Sequence, residues 1–246
     1  MKSRSENLEA IVLRVTPYGE SDAIVSLLTS GSGRISAFAS GARRSAKRFG
    51  GALDLFSKVR AEIRRPRGVE SALWRLERLD LLDLHLSLRC LLDRYATAAY
   101  LSECLCALTG EGHADRRLFD WWAATLEEMS APSFPADRMA YLELELLCLL
   151  GHGPRWSPCG ECGNVPGGDR IFFSFERGGV MCDGCRRPGE GGIRPDDRNG
   201  VGFQLKGFDD CRLHRRAPKC EREGLVERYR LIIGEATGWS ACKSQI

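Results

Sequence analysis

Along the first 80 residues, apolar and polar positions alternate with a period of two, in short runs divided by turn-forming residues. Leu8 to Val15 (LEAIVLRV) is strand-like and leads into the turn-like Pro17-Tyr18-Gly19. Ala23 to Thr29 (AIVSLLT) is apolar and β-branched, and Ser30-Gly31-Ser32-Gly33 after it predicts a hairpin turn. Arg34 to Ala39 (RISAFA) alternates strictly, as a half-buried strand does. A basic loop, 41–51 (GARRSAKRFGG), comes next, and two more strands are expected over Leu55 to Ile63 and Val69 to Leu76.

From about Asp83 the period becomes helical. Leu84, Leu88, Leu91, Tyr95, Ala98 and Leu105 share one face, up to Thr109-Gly110. A second helix is expected from Arg116 to Met129, and Ser130 to Pro135 reads as a linker. A third runs from about Asp137, its expected N-cap, to Leu150, with Gly151 as its stop. Their apolar faces should pack as a small bundle. Residues 151–200 are rich in Gly, Pro and Cys and cannot build a core alone, so they need a staple such as a metal. A last helix is expected from Leu225 to Ala236.

Five short strands with one long loop suit a small closed barrel, of which the OB-fold is the commonest kind, although other small barrels share that strand count. The pattern therefore predicts an α+β, multi-domain chain. An N-terminal OB-fold β-barrel would occupy 1–80 and an α-helical bundle domain 81–246, with an inserted four-cysteine zinc-binding module at about 155–190.

Composition adds limits. Hydrophobic residues at 43% and charged residues at 28% exclude wholesale disorder. No run approaches the ~18 apolar residues of a membrane span, and no signal-peptide pattern follows Met1, so a cytoplasmic protein without membrane contact is expected. The net charge of +3 hides a segregation: 1–68 carry +7, 69–150 carry −7 and 151–246 carry +3. Parts with different partners, one of them polyanionic, would account for it, as would solvated charge clusters.

Eleven cysteines would suggest a disulfide framework in a secreted chain, but metal binding is the better account inside a cell. Cys159-Gly-Glu-Cys162 and Cys182-Asp-Gly-Cys185 form C-x2-C-x19-C-x2-C. A two-residue gap lets both thiolates of a knuckle reach one ion, and two knuckles close a tetrahedral site. The expectation is one structural Zn2+ on Cys159, Cys162, Cys182 and Cys185, with Gly160, Gly163 and Gly184 easing the tight loops. Cys90, Cys104, Cys106 and Cys148 fall in apolar helical pattern and read as buried small hydrophobes, whereas Cys211, Cys220 and Cys242 receive no assignment. Pro158-Cys-Gly-Glu-Cys162 also matches half of a zinc deaminase signature. That chemistry needs an upstream H-x-E or C-x-E, which is missing, and has no use for a second Cys pair.

Arg43, Arg44, Lys47 and Arg48 crowd into six residues beside Phe49, between glycines. Such a loop suits phosphate, and Phe49 or Tyr18 could offer a ring to a base; the competing reading is a loop that only aids solubility. Arg60, Arg64, Arg65 and Arg67 add cations at the end of the next strand. No Walker A loop, dinucleotide loop or paired histidine constellation is found, so no enzyme is expected.

These residues together resemble the RecO family of bacterial recombination mediators. Ala10-Ile-Val-Leu-Arg14, Pro17-Tyr-Gly-Glu-Ser-Asp22 and Ile24-Val-Ser-Leu-Leu-Thr29 look like its opening strands. Gly33-Arg34, Gly41-Ala-Arg-Arg44 and Arg48-Phe-Gly-Gly-Ala-Leu53 resemble its basic loop. Leu84-His-Leu and Arg94-Tyr95 match the start of its helical domain; Leu149-Leu-Gly151, Pro154 and the four cysteines with Gly178-Gly179 match its zinc-bearing region. The likeness covers about 8–186, beyond which only Lys243-Ser244 is similar. The resemblance implies binding of single- and double-stranded DNA, strand annealing and association with RecR. It also implies engagement of the C-terminal tail of single-strand-binding protein by the helical domain, help in loading RecA, and nucleoid association, all without nucleotide hydrolysis. Arg34, Arg43, Arg44, Lys47, Arg48, Arg60 and Arg64 are the candidate DNA contacts. The main alternative is a zinc-containing OB-fold protein of RNA metabolism; a zinc hydrolase or deaminase is the second.

Overall fold

The computed structural model describes residues 5–65, 73–135, 138–155, 158–165, 172–174 and 177–186. The chain divides into two compact units, Met1–Ala136 and Asp137–Ile246.

In the first unit the alternating pattern produces five strands: β1 (Ser5–Tyr18), β2 (Asp22–Thr29), β3 (Gly33–Ala39), β4 (Lys58–Arg64) and β5 (Trp74–Asp83). They close into a barrel in the order β1-β2-β3-β5-β4. Neighbours pair antiparallel except β3 and β5, which meet in parallel at Ala37↔Trp74 and Phe38↔Arg75. The inward set includes Val12, Val25, Leu27, Ile35, Ala37, Val59, Ile63 and Leu76. Burying each large side chain of this kind contributes roughly 1.5–3 kcal/mol.

Two departures from simple alternation shape the surface. Counting by twos from Leu8 through Ala10 and Val12 would turn Arg14 into the barrel. A register shift between Val12 and Arg14 resets the phase, so Val15 packs on the core and Arg14 stays exposed. The β3–β4 connection is also more ordered than a plain loop. It contains a single helical turn, α1 (Ala46–Phe49), and buries Phe49 and Ala52 in the barrel core. Phe49, expected as a base-stacking candidate, is 2% exposed and cannot serve, because filling the barrel's end wins over exposure.

The strand expected to end at Leu76 runs on to Asp83, and β4 begins at Lys58 rather than Leu55. The single long helix expected after Asp83 is two: α2 (Leu86–Arg89) and α3 (Leu92–Leu108), broken at Leu91, which is extended at φ −118° and ψ 112°. Cys90 lies at this break and is exposed rather than buried; Cys104 is buried, and Cys106 is half-buried. Helix α4 (Arg116–Ser130) starts at Asp115; slight burial pushes its carboxyl up, but hydrogen bonds from the Arg117 side chain and from the Arg117 and Leu118 amides outweigh it and hold Asp115 below the usual carboxylate range. Helix α3 lies against β1, and Ser102 Oγ donates to the Leu13 carbonyl at 3.0 Å. Ile11 and Leu13 are thereby buried.

In the second unit α5 (Arg138–Leu149) ends with the His152 amide donating to the Leu147 carbonyl at 2.8 Å. Cys148 in α5 is half-buried. A two-stranded hairpin, β6 (Phe172–Ser174) and β7 (Gly179–Met181), leads into a 3-10 turn at Asp183–Cys185. The expected cap Asp137, Arg67 and the helix over Leu225 to Ala236 lie outside the described residues. No helix among the described residues is long and apolar enough to cross a membrane.

Candidate metal centre and nucleic-acid interface

The β6–β7 hairpin brings the second cysteine pair onto the first. The Arg155 amide donates to the Gly178 carbonyl and the Val180 amide to the Arg155 carbonyl, which ties the approach of the first knuckle to β7. The Gly160 amide donates to Val180, and the Gly163 amide turns back to the Cys159 carbonyl at 3.0 Å. Gly163 sits at φ +72°, where a side chain would be strained, so this glycine is required by the turn. Gly160 and Gly184 lie in ordinary backbone regions with room for a Cβ, so the turn does not depend on them as expected. Across the knuckle, the Arg177 guanidinium reaches Glu161 at 2.8 Å.

The sulfurs of Cys159, Cys162, Cys182 and Cys185 all lie within 4.8 Å of one another, and Cys162 Sγ stands 3.7 Å from Cys182 Sγ. Four thiolates about 2.3 Å from one ion at tetrahedral angles stand about 3.8 Å apart, so these four fit a single metal ion. Among the described residues, no histidine or carboxylate joins the group. Burial pushes the Cys159 thiol up, but donation from the amides of Cys162, Cys182 and Glu161 outweighs it and holds the pKa at about 6. Cys185 is pushed up to about 12, because its proton is shared with the sulfurs of Cys182 and Cys162 and its surroundings are partly desolvated. One sulfur is thus ready as a thiolate while its neighbours crowd it with further ligands. Phe172 and Met181 pack under the cluster, and the Arg186 guanidinium sits 4.5 Å from the centre of the Phe172 ring.

The cations proposed for DNA divide into three environments. Arg34, on β3, is not a surface charge: its side chain is 15% exposed and donates to the Thr109 carbonyl from Nε and Nη2, to Thr109 Oγ1, and to Glu111. Arg60 and Arg64, on β4, are exposed but stand among acids. Arg60 is registered opposite Glu9 and Asp80, and Arg64 shares Glu77 with Arg75. Arg78 pairs with Asp80. The outer face of β4 and β5 is therefore close to neutral.

The basic loop differs. Arg43, Arg44 and Lys47 are exposed, and among the described residues only Arg44 has an acidic partner, Glu20 at 3.7 Å with both side chains in solvent. An exposed pair of this kind is worth little and yields readily to phosphate. Arg48 instead braces the loop: it donates to the Ser40 carbonyl at 2.6 Å and to Ser45 Oγ, and lies 4.9 Å from the Phe49 ring centre. The loop is moored to the β1–β2 turn, with the Gly41 amide on Asp22 Oδ1 at 2.7 Å and the Arg43 amide on the Ser21 carbonyl. Tyr18 is 56% exposed beside this turn and meets Phe38 edge to face at 5.8 Å. Phe38 escaped the sequence reading, although RISAFA places it in phase with polar Arg34 and Ser36, an unusual position for an aromatic ring.

Comparison with known proteins agrees with this architecture. The family description "Recombination protein O N terminal" matches residues 1–83 and "Recombination protein O C terminal" matches 91–201. The "DNA repair protein RecO" of Pelobacter propionicus is 38% identical over 180 residues, which cover 73% of this chain and 72% of that protein. The protein of the same description from Anaeromyxobacter dehalogenans is 40% identical over 179 residues, 72% of this chain and 69% of its own. That of Symbiobacterium thermophilum is 34% identical over 191 residues, 76% and 74% of the two chains. A barrel, a following helical part and a four-cysteine cluster, matched in sequence to both halves of that family, make this chain a member of the RecO family of DNA repair proteins.

Proposed function

We propose that this chain is a recombination mediator that binds single- and double-stranded DNA, anneals complementary strands and helps load RecA onto strands coated with single-strand-binding protein. The observation that carries the reading is the moored but solvent-facing loop of Arg43, Arg44 and Lys47 on a closed barrel, which is electropositive where β4 and β5 are neutral. We read the barrel, residues 1–80, as an OB-fold, and the role as one of binding rather than catalysis. The four-sulfur set supports one structural Zn2+, because four thiolates leave no open position for a reacting water. This also argues against a hydrolase or deaminase.

RecR and the acidic tail of single-strand-binding protein are the proposed partners, in a nucleoid-associated cytoplasmic setting. A cleft of about 430 Å³ between β1 and α3 is the candidate tail site: Leu13, Leu55 and Tyr95 give it an apolar lining, and Arg14 and Arg89 share it with the acids Asp54 and Glu103. Annealing of complementary DNA strands precoated with the cognate single-strand-binding protein, without ATP, tests the whole reading. Acceleration by this chain is expected. No acceleration on DNA, with annealing of RNA instead, would move the protein to RNA metabolism.

A further inference from the structure

We propose that Tyr18 and Phe38 form the base-stacking subsite of a single DNA strand whose phosphates lie on Arg43, Arg44 and Lys47. The inference rests on the DNA-binding reading above and adds to it what tells an unpaired strand from a duplex.

The helices leave one part of the barrel's outer face open. Along β1 the outward side chains Ile11 and Leu13 are buried, whereas Thr16 and Tyr18 are exposed. The neighbouring outward positions are Ile24 on β2, registered with Thr16 and Phe38, and Phe38 itself on β3. Two aromatic rings and an isoleucine thus stand together on the outer face of a barrel that has its own filled core, Tyr18 exposed and Phe38 and Ile24 half-buried. The edge-to-face contact, at 85° between ring planes, holds the two rings in fixed orientations while leaving Tyr18 more than half open.

The second observation is what stands next to them. The basic loop is tied to Ser21 and Asp22, the turn that follows Tyr18, by two backbone amides. Cations and rings are therefore held within a few residues of each other. Single-strand binders need this pairing: a cationic track for the backbone and ring faces for bases, which stack whatever their sequence. A duplex keeps its base faces inside and can use only the cations.

The two contributions separate by salt. Stacking releases no counterions, so losing a ring lowers affinity without changing the slope of log affinity against log salt, whereas losing a phosphate contact flattens the slope. Fluorescence anisotropy with a labelled oligothymidylate, an abasic strand of equal length and a duplex provides the test. Tyr18→Ala and Phe38→Ala should each weaken oligothymidylate binding by about 5- to 150-fold, the range alanine substitution gives for one stacked base. The slope, the abasic-strand affinity and the duplex affinity should stay at wild-type values. Tyr18→Trp should retain binding, which a merely structural loss would not explain, and thermal melts should confirm folding.

Equal losses on the abasic strand and oligothymidylate would overturn the subsite, as would no loss in the double variant. If the double variant is silent while neutralising Arg43, Arg44 and Lys47 flattens the slope, the subsite fails and the DNA-binding reading stands. If neither set matters, both fail together.

Discussion

At the scale of single residues, the basic loop holds two kinds of cation that look alike in sequence. Arg43, Arg44 and Lys47 face solvent, whereas Arg48 braces the backbone through Ser40 and Ser45. Replacing the first three with Ala should flatten the salt slope for single strands by about 2 units, at about 0.7 per lost phosphate contact. It should leave thermal stability within about 0.5 kcal/mol. Arg48→Ala should instead lower Tm with a smaller slope change, and parallel melts and titrations would separate the two. Spacing showed that cations cluster here; which of them is tied down depends on the Asp22 and Ser40 contacts, which only the closed barrel brings near. His85 is a second such residue. It is 3% exposed, sits at φ +50°, and donates from Nδ1 to the Phe56 carbonyl, while Nε2 has no partner. Burial holds its pKa below the ordinary 6.5, although Asp83 and the Phe56 carbonyl pull the other way. The unfolded chain therefore takes up this proton more readily than the folded one. Stability is full above about pH 6.5 and falls as the pH drops toward the lower folded value. Asparagine tolerates the left-handed backbone, so Tm of His85→Asn should vary less with pH below 6.5 than wild type; equal pH profiles would remove His85 from the acid response.

At the scale of elements, the strands and helices were legible wherever a period ran unbroken, as in β2, β3 and α4. The helix expected as one after Asp83 was misread because the break at the extended Leu91, between α2 and α3, is one residue long and leaves the average pattern intact. The cysteine hairpin was legible for a different reason, because ligand spacing is a chemical constraint that needs no period. Among the described residues, its partners for backbone groups are few: short β6 and β7 strands and a handful of amide bonds around Arg155 and Gly160. Such a unit depends on its ion for folding. Protein purified without chelators should contain about one zinc per chain. Cys182→Ser should lose it, and with it the protection of the Gly160 and Val180 amides from hydrogen exchange. Acidification should release the metal, since protons compete with it for the four thiolates, and metal content unchanged at acid pH would count against thiolate ligation. Full metal content in a variant lacking both Cys182 and Cys185 would end this assignment.

At the scale of the molecule, the first unit depends on how the barrel is joined to its helices, and Gly33-Arg34 makes that join. The pair was legible as a family-like motif but not as a structural one, because its partners lie some 75 residues away at Thr109 and Glu111. Gly33, at φ +66°, closes the β2–β3 turn with its carbonyl on Thr29 Oγ1, and a Cβ there would run into the His113 carbonyl. The Arg34 carbonyl accepts from the Gly112 amide at 2.8 Å, and its guanidinium grips Thr109. Strand β3 is thereby fixed to the connection between α3 and α4. Truncating Arg34 leaves the half-buried Thr109 carbonyl without its charged donors, a loss of about 1.5–3 kcal/mol for such bonds. The Glu111 pair adds little, since Glu111 is 52% exposed. Arg34→Ala should therefore lower Tm by several degrees, while the salt slope of DNA binding stays at its wild-type value. Arg34→Lys should recover only part of the loss, because an ammonium cannot place two donors on one carbonyl as the guanidinium fork does. If Arg34 contacted phosphate instead, Arg34→Ala would lose about 0.7 from the single-strand slope and melt like wild type. The two roles predict opposite pairs of results, so one melt and one salt titration decide between them.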